Sequence, residues 1–430
     1  MKRLLSTLLI ICCIFSLTGC EAAEKVAEIE LPPVPTAEYE LHEQAPQTNL
    51  TETEHQHIVI NIQRTELEAH DPQEGNELIL SFSYETPFVH IPANTAAEDA
   101  INEFIAMLDE SYYTGNDYGV VYDSGCAPGY SNMLTMAEDN YNYIVNEGIE
   151  SLNYELACHR SLGIERCDEN VLSLRYYDYV NLGGVHGSYA YRSYNFDTVS
   201  GELLTLENIA TDSQAFKSFL KSYMIDAVAN SEELQQRMAG FVDAEGMPSK
   251  EDALGALVRD GSWCMDNKGL LIVSDLYELG SYAAGTMEFL VPYSVLEAYV
   301  KPEYMPEERA ETASFAVVPV EALSESSREI IDMVKVHDDG QGVYLVSDGI
   351  ARNVRITKGV YSEQFYETSQ LWYCSIMDNC AVQLVTRIPE GMPDLKISYA
   401  DQNGEHSFYV SQSGVDGSII LVDDSIEAVG

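Results

Sequence analysis

Val171-Leu172-Ser173-Leu174-Arg175-Tyr176-Tyr177-Asp178-Tyr179-Val180 decides the architecture: ten residues rich in Val, Leu and Tyr, without Gly or Pro, read as a β-strand. Asn153 to Arg160 reads as a second strand, joined to the first by a polar loop that contains Cys167. Their Tyr, Leu and Val content suits an antiparallel pair with one face buried. Asp212 then caps a helix whose Ala215, Phe216, Phe219, Leu220, Tyr223, Met224, Ala227 and Val228 form a core-facing stripe. Further helices are expected at Ser231 to Ala239 and at Ser249 to Arg259, the latter with Ser249-Lys250-Glu251-Asp252 as its start signal. Strand patterns return at Gly269 to Ser274 and Gly285 to Val291. The expected class is α+β, an antiparallel sheet with helices packed on it.

Upstream, Ile58, Ile60 and Ile62 alternate as in a strand, and Leu78 to Tyr84 supplies another. Thr95-Ala96-Ala97-Glu98 is a capping box, opening a helix with Ile101, Phe104, Ile105, Leu108 and Tyr112 on one face. A second helix is expected from about Ser131 to Glu147. Downstream, the Pro- and Glu-rich stretch Lys301 to Thr312 reads as a linker, after which the texture changes to short strands. These are Val343 to Val346, Asn353 to Ile356, Leu371 to Cys374, Ala381 to Thr386, Leu395 to Tyr399, Ser407 to Gln412 and Ile419 to Val422. Turn signals at Asn403-Gly404 and Asp416-Gly417 separate some of them, and the spacing suggests a small sandwich or open barrel. The organisation expected is a signal peptide at 1–19, an acidic tether at 20–55, α+β segments at 56–170 and 171–302, a linker at 303–314 and a β-rich domain at 315–430.

Met1-Lys2-Arg3 supplies positive charge, Leu4 to Phe15 is nearly all apolar, and Ser16 to Gly19 is a small-residue end, the three parts of a secretory signal. Leu17-Thr18-Gly19-Cys20 resembles the lipobox of bacterial lipoproteins. That resemblance implies cleavage before Cys20, acyl chains on Cys20, and a protein anchored by lipid to the outer face of the bacterial cytoplasmic membrane.

Gly183-Gly184-Val185-His186-Gly187, then Tyr194-Asn195-Phe196-Asp197, Gly201, and Leu204 to Ile209, followed far downstream by Asp275 to Gly285 and Phe289 to Tyr293, carry a second resemblance. Together they are similar to domains of unknown function in the extracytoplasmic half of lysozyme-sensing anti-sigma factors and in the non-catalytic part of some peptidoglycan deacetylases. The resemblance implies a paired α+β unit, the segment 56–170 being its first member. The deacetylase's catalytic domain and the anti-sigma factor's cytoplasmic part and membrane helix have no counterpart here.

Within these motifs, Gly184, His186 and Gly187 are ligand-binding candidates, because a histidine between glycines approaches a ligand with backbone and imidazole together. Asn195 and Asp197 are candidates to complete a polar patch, although Asp197 equally suits a cap on the turn toward Gly201. Twenty-three basic residues face 70 acidic ones, a net charge of −47 that repels nucleic acid and attracts cationic partners. Tyrosine, with 28 copies, gives a weak hint toward carbohydrate stacking. Beyond Cys12, Cys13 and Cys20, six cysteines remain, and in an exported chain they permit disulfides. The favoured pairs are Cys374 with Cys380 and Cys158 with Cys167, leaving Cys126 with Cys264. His55-Gln56-His57 offers two imidazoles, too few for structural zinc. Gly-x-Ser-x-Gly, His-Glu-x-x-His and phosphate-loop motifs do not occur, so no catalytic residue, metal or cofactor is assigned. The function expected is non-catalytic binding of a wall-associated or cationic, lysozyme-like ligand at the cell envelope. The alternatives are an envelope hydrolase acting on peptidoglycan and a structural partner of another envelope protein.

Overall fold

The computed structural model describes residues 57–423, apart from 72–76, 116–128, 148–154, 185, 241–247, 307–310, 320–327, 338–339, 362–364, 387–392 and 413–418. Cys20, the tether, His55 and Cys126 lie outside the described residues.

Strands β1 (Val59–His70), β2 (Leu78–His90), β3 (Leu156–Cys167), β4 (Val171–Asn181), β5 (Ser188–Asp197) and β6 (Leu203–Leu204) lie side by side in that order. Neighbours are antiparallel except β2 and β3, which run parallel. Parallel neighbours need a long crossover, and helices α1 (Thr95–Thr114) and α2 (Gly129–Glu147) occupy it. Ile101, Ile105 and Leu108 of α1 are buried against Leu172, Leu174 and Tyr176. The cap differs from the expected box. Asn94 rather than Thr95 is the capping residue, accepting from the Ala97 amide, while Glu98 accepts from the Ile91 amide at 2.7 Å.

Cys167 ends β3 instead of lying in a loop, and the β3–β4 pairing runs from Ala157 opposite Asn181 to Cys167 opposite Leu172. That corrects the cysteine pairing. Cys158 and Cys167 are nine steps apart along one extended strand, about 30 Å, far beyond the reach of a disulfide. Cys158, Cys167, Cys264, Cys374 and Cys380 are all buried free thiols. The Cys374 thiol donates to the Ile376 carbonyl at 3.1 Å rather than bonding to Cys380.

Side chains alternate across a strand, so the residues of β4 and β5 that do not face α1 point to the opposite layer. Helices α3 (Leu206–Ile209), α4 (Ser213–Asn230), α5 (Glu232–Arg237) and α6 (Lys250–Ala256) form that layer with a small antiparallel sheet. The sheet is β7 (Trp263–Met265), β8 (Gly269–Val273) and β9 (Glu288–Pro292), closed by α7 (Tyr293–Leu296). Phe216, Leu220 and Met224 of the expected α4 stripe share one core with Trp263, Leu270, Ile272 and Phe289.

The C-terminal strands are β10 (Ala313–Pro319), β11 (Ile330–Lys335), β12 (Gln341–Tyr361), β13 (Phe365–Asp378), β14 (Ala381–Thr386), β15 (Leu395–Asp401), β16 (Gly404–Gln412) and β17 (Ile419–Asp423). Two stretches expected as separate strands, around Val343 and Asn353, are the halves of β12. Its first half pairs with β10 and β14 and its second with β13 and β15, so it serves two layers around one core. Gly349, at φ 85°, stands where the halves meet, and a Cβ there would lie 2.2 Å from the Thr312 carbonyl oxygen. The module is an open one; no closed barrel forms among the described residues.

Neither sequence boundary interrupts the sheet. The division at 170/171 falls in the β3–β4 turn. Past the 303–314 linker, β13 pairs with β1 through Val59 opposite Cys374 and Asn61 opposite Trp372, making one sheet of 14 strands. The start of the linker is itself docked: Tyr304 is buried, and its carbonyl accepts from Arg166 at 2.7 Å.

Candidate functional site

The loop 182–187 connects β4 to β5. Gly183 sits at φ 75° with its amide held by the Asn181 side chain at 3.1 Å. His186 is exposed, and its ring stacks on Tyr282, with centroids 3.7 Å apart and planes 21° from parallel. The Tyr282 hydroxyl donates to the Gly187 carbonyl at 3.0 Å, and the His186 Nδ1 lies 3.0 Å from the same oxygen. Two sequence motifs far apart in the chain therefore meet at one point. Gly187 leaves no room for a side chain, since a Cβ would lie 2.5 Å from the Tyr179 ring. Gly184 is exposed on the same loop.

Asn195 and Asp197 do not join this group. Asn195 is eight residues along β5 from Gly187, about 26 Å, and only 2% exposed. Its side chain accepts from Ser173 at 2.7 Å and from the Met265 amide at 3.2 Å, and donates to the Trp263 carbonyl at 3.1 Å. It pins the edge of β7 to the large sheet. Asp197 caps a turn, accepting from the amides of Val199 and Ser200 at 2.8 and 2.9 Å, and accepts from the Tyr304 hydroxyl at 3.2 Å.

What surrounds His186 is tyrosine. On the face of β4 and β5 that carries Ser173 and Asn195, Tyr177 lies opposite Tyr191 and Tyr179 opposite Tyr189. The small sheet covers this face from the Asn195 end as far as Tyr191, which packs against Cys264, Leu271 and Val273, and all four tyrosines are half-buried. Tyr177 lies 5.4 Å from Tyr189 and 5.3 Å from Tyr191 between ring centroids, and Tyr179 stacks on His159 at 6.2 Å. The signal that finds these residues is tyrosine at every second position on two successive strands.

Charged groups frame the shelf in pairs. Arg175 bridges Glu165 at 2.7 Å and Glu288 at 3.0 Å, Arg192 holds Asp275 at 2.9 Å, and Arg259 holds Glu278 at 2.5 Å. Beneath, Arg160 holds Asp178 with two bonds of 2.6 and 2.9 Å and lies 4.0 Å from the centre of the Tyr112 ring. Asp109 of α1 faces the same cluster with one oxygen on Thr86 and the other without a partner among the described residues. Burial pushes its carboxyl from 3.8 up to about 6, against the lowering effects of Thr86 and Arg160. A raised carboxyl means that the fold favours the protonated form, so stability falls as pH rises from about 4 to about 6, by roughly 3 kcal/mol. Asp109→Asn removes this titration. The variant is expected to unfold at higher temperature than wild type at pH 7.5, with the gap closing below pH 4, as measured by circular dichroism.

Among the described residues no group of three His, Cys, Asp or Glu side chains is placed to hold a metal ion. No described helix is long and apolar enough to cross a membrane. The helical layer with its small sheet is the part that identifies itself by sequence: residues 207–294 match the family described as "Protein of unknown function (DUF3298)". They form a DUF3298 domain. The DUF3298 domain contributes Tyr282 to the site, whereas His186 and the tyrosine pairs come from the large sheet in front of it. The chain is also similar to a solved DUF3298 family member from Bacteroides fragilis, at 19% identity and a TM-score of 0.40, covering 57% of this chain and 94% of that one. A DUF3298 family protein from Pseudomonas aeruginosa aligns at 12% identity and a TM-score of 0.35, covering 58% of this chain and 97% of that one. No curated protein matches the chain.

Proposed function

We propose that this chain is a non-catalytic binding lipoprotein of the cell envelope, anchored through Cys20 on the outer face of the cytoplasmic membrane. Its ligand would be wall-associated or a cationic, lysozyme-like protein, met by the surface around Gly184, His186 and Gly187. One observation carries the reading: an exposed histidine stacked on Tyr282 at the rim of a half-buried tyrosine face, with no metal-binding cluster among the described residues. The net charge of −47 adds a field that steers cationic partners. The resemblance of the motifs to those of lysozyme-sensing anti-sigma factors and peptidoglycan deacetylases points the same way.

The test is co-sedimentation of the full chain with purified cell-wall sacculi, alongside a pulldown with a c-type lysozyme, each at 50 and 150 mM salt. Binding that persists at the higher salt and falls about tenfold in His186→Ala supports the reading. Binding that is absent, or unchanged in the variant, removes it. Charge steering alone is screened within about 8 Å at the higher salt.

A further inference from the structure

We infer that the shelf formed by Tyr177, Tyr179, Tyr189, Tyr191, Tyr282 and His186 is a saccharide-binding site that takes a chain of linked pyranose rings. The inference rests on the binding reading above and names the chemical class of its ligand.

Pyranose rings present apolar C–H faces edged by hydroxyls. A surface that recognises them needs flat rings for the faces and neutral hydrogen-bonding groups for the edges. The shelf supplies both. The four strand tyrosines lie on one face in two cross-strand pairs, with neighbouring centroids 5.3 to 6.2 Å apart. The hydroxyls of Tyr177, Tyr179, Tyr189 and Tyr191 have no hydrogen-bond partner in the protein among the described residues. Tyr282, tied to Gly187, closes one end of the row, and the small sheet, packed on Tyr191, closes the other.

Charge argues against a cation as the occupant. A lysine or arginine side chain seated on these rings would want a spare carboxylate nearby. The carboxylates that frame the shelf, Glu165, Glu288, Asp275 and Glu278, are each already bonded to an arginine of this chain. Arg175 already lies over one ring, 5.2 Å from the centre of Tyr191. Burial and the nearby Arg64 lower the pKa of His159, which stacks on Tyr179, against the raising effects of Glu155 and Glu66, and so favour its neutral form. Burial, with the neighbouring phenols, raises the pKa of Tyr177, so its hydroxyl stays a donor.

The experiment is calorimetric titration of the full chain with chitotetraose, with cellotetraose and, in a separate arm, with an octalysine peptide. Saturable binding of either saccharide is expected, unaffected by 0.3 M salt. Tyr189→Ala and the exposed-site variant Tyr277→Ala are each expected to weaken it, the first about tenfold, as the loss of one stacked ring implies. Tyr277 is 59% exposed and 5.9 Å from Tyr282, so its replacement tests the site without threatening the fold. Octalysine binding that is lost in the same variants, with no saccharide binding, overturns the saccharide assignment and leaves the binding face standing. No binding by any probe, or saccharide binding indifferent to both variants, overturns the site itself.

Discussion

Arg166→Ala is expected to lower the thermal unfolding midpoint by about 4 °C or more and to loosen the DUF3298 layer from the large sheet. Arg166, next to last in β3, has its side chain 2% exposed and bonds Asp168 at 2.5 Å. It also donates to the Tyr293 hydroxyl at 2.9 Å and the Tyr304 carbonyl at 2.7 Å, which belong to the layer packed above the sheet. Removing one partner of a buried ion pair strands the other and typically costs about 3 to 5 kcal/mol. The lower end applies here, since Asp168 is 22% exposed and keeps the amides of Asn170 and Val171 as donors. For a chain of this length 3 kcal/mol corresponds to about 4 °C. Hydrogen exchange read by mass spectrometry should show faster exchange at Tyr293 to Tyr304 before the rest of the fold opens. An unchanged midpoint would mean that this arginine does not join the two layers.

Asn195→Ala is expected to cost about 3 kcal/mol while leaving ligand affinity unchanged in whatever fraction remains folded. Three bonds end on this buried amide, and alanine would leave the Trp263 carbonyl and the Met265 amide facing a dry gap, at about 1 to 3 kcal/mol for each unsatisfied group. The sequence alone assigned Asn195 to a ligand patch, which requires the reverse: weaker binding with stability intact. Parallel titration and urea unfolding of the variant separate the two roles.

Much of the fold was legible because its signals are local. The alternating Ile58 and Ile60, the stripe of Phe216, Leu220 and Met224, and the caps at Asp212 and Ser249 need only their own segments to be read. The sequence did not reveal long-range pairing. Whether β13 pairs with β1, or whether Val343 and Asn353 lie on one strand bent at Gly349, depends on partners hundreds of residues away or on a single backbone angle. The same distinction divides the site. His186 was found because glycines bracket it, and Gly187 because it follows, but Asn195 and Asp197 were grouped with them by nearness in sequence, which an extended strand turns into distance. The tyrosines carried a readable period of two, yet only the register of β4 with β5 shows that they meet in pairs. The cysteines went astray for a related reason. Cys158 and Cys167 look like the ends of a short loop until the residues between them prove to be strand.

The measurement that bears most directly on the binding face is oxidative footprinting of the full chain with and without cell-wall sacculi, with sites resolved by mass spectrometry. Protection of Tyr177, Tyr179, Tyr189, Tyr282 and His186, with unchanged labelling of the exposed Tyr366 in the C-terminal module, is the result predicted here. Protection confined to the C-terminal module, or labelling of the shelf that does not respond to the wall, would contradict it.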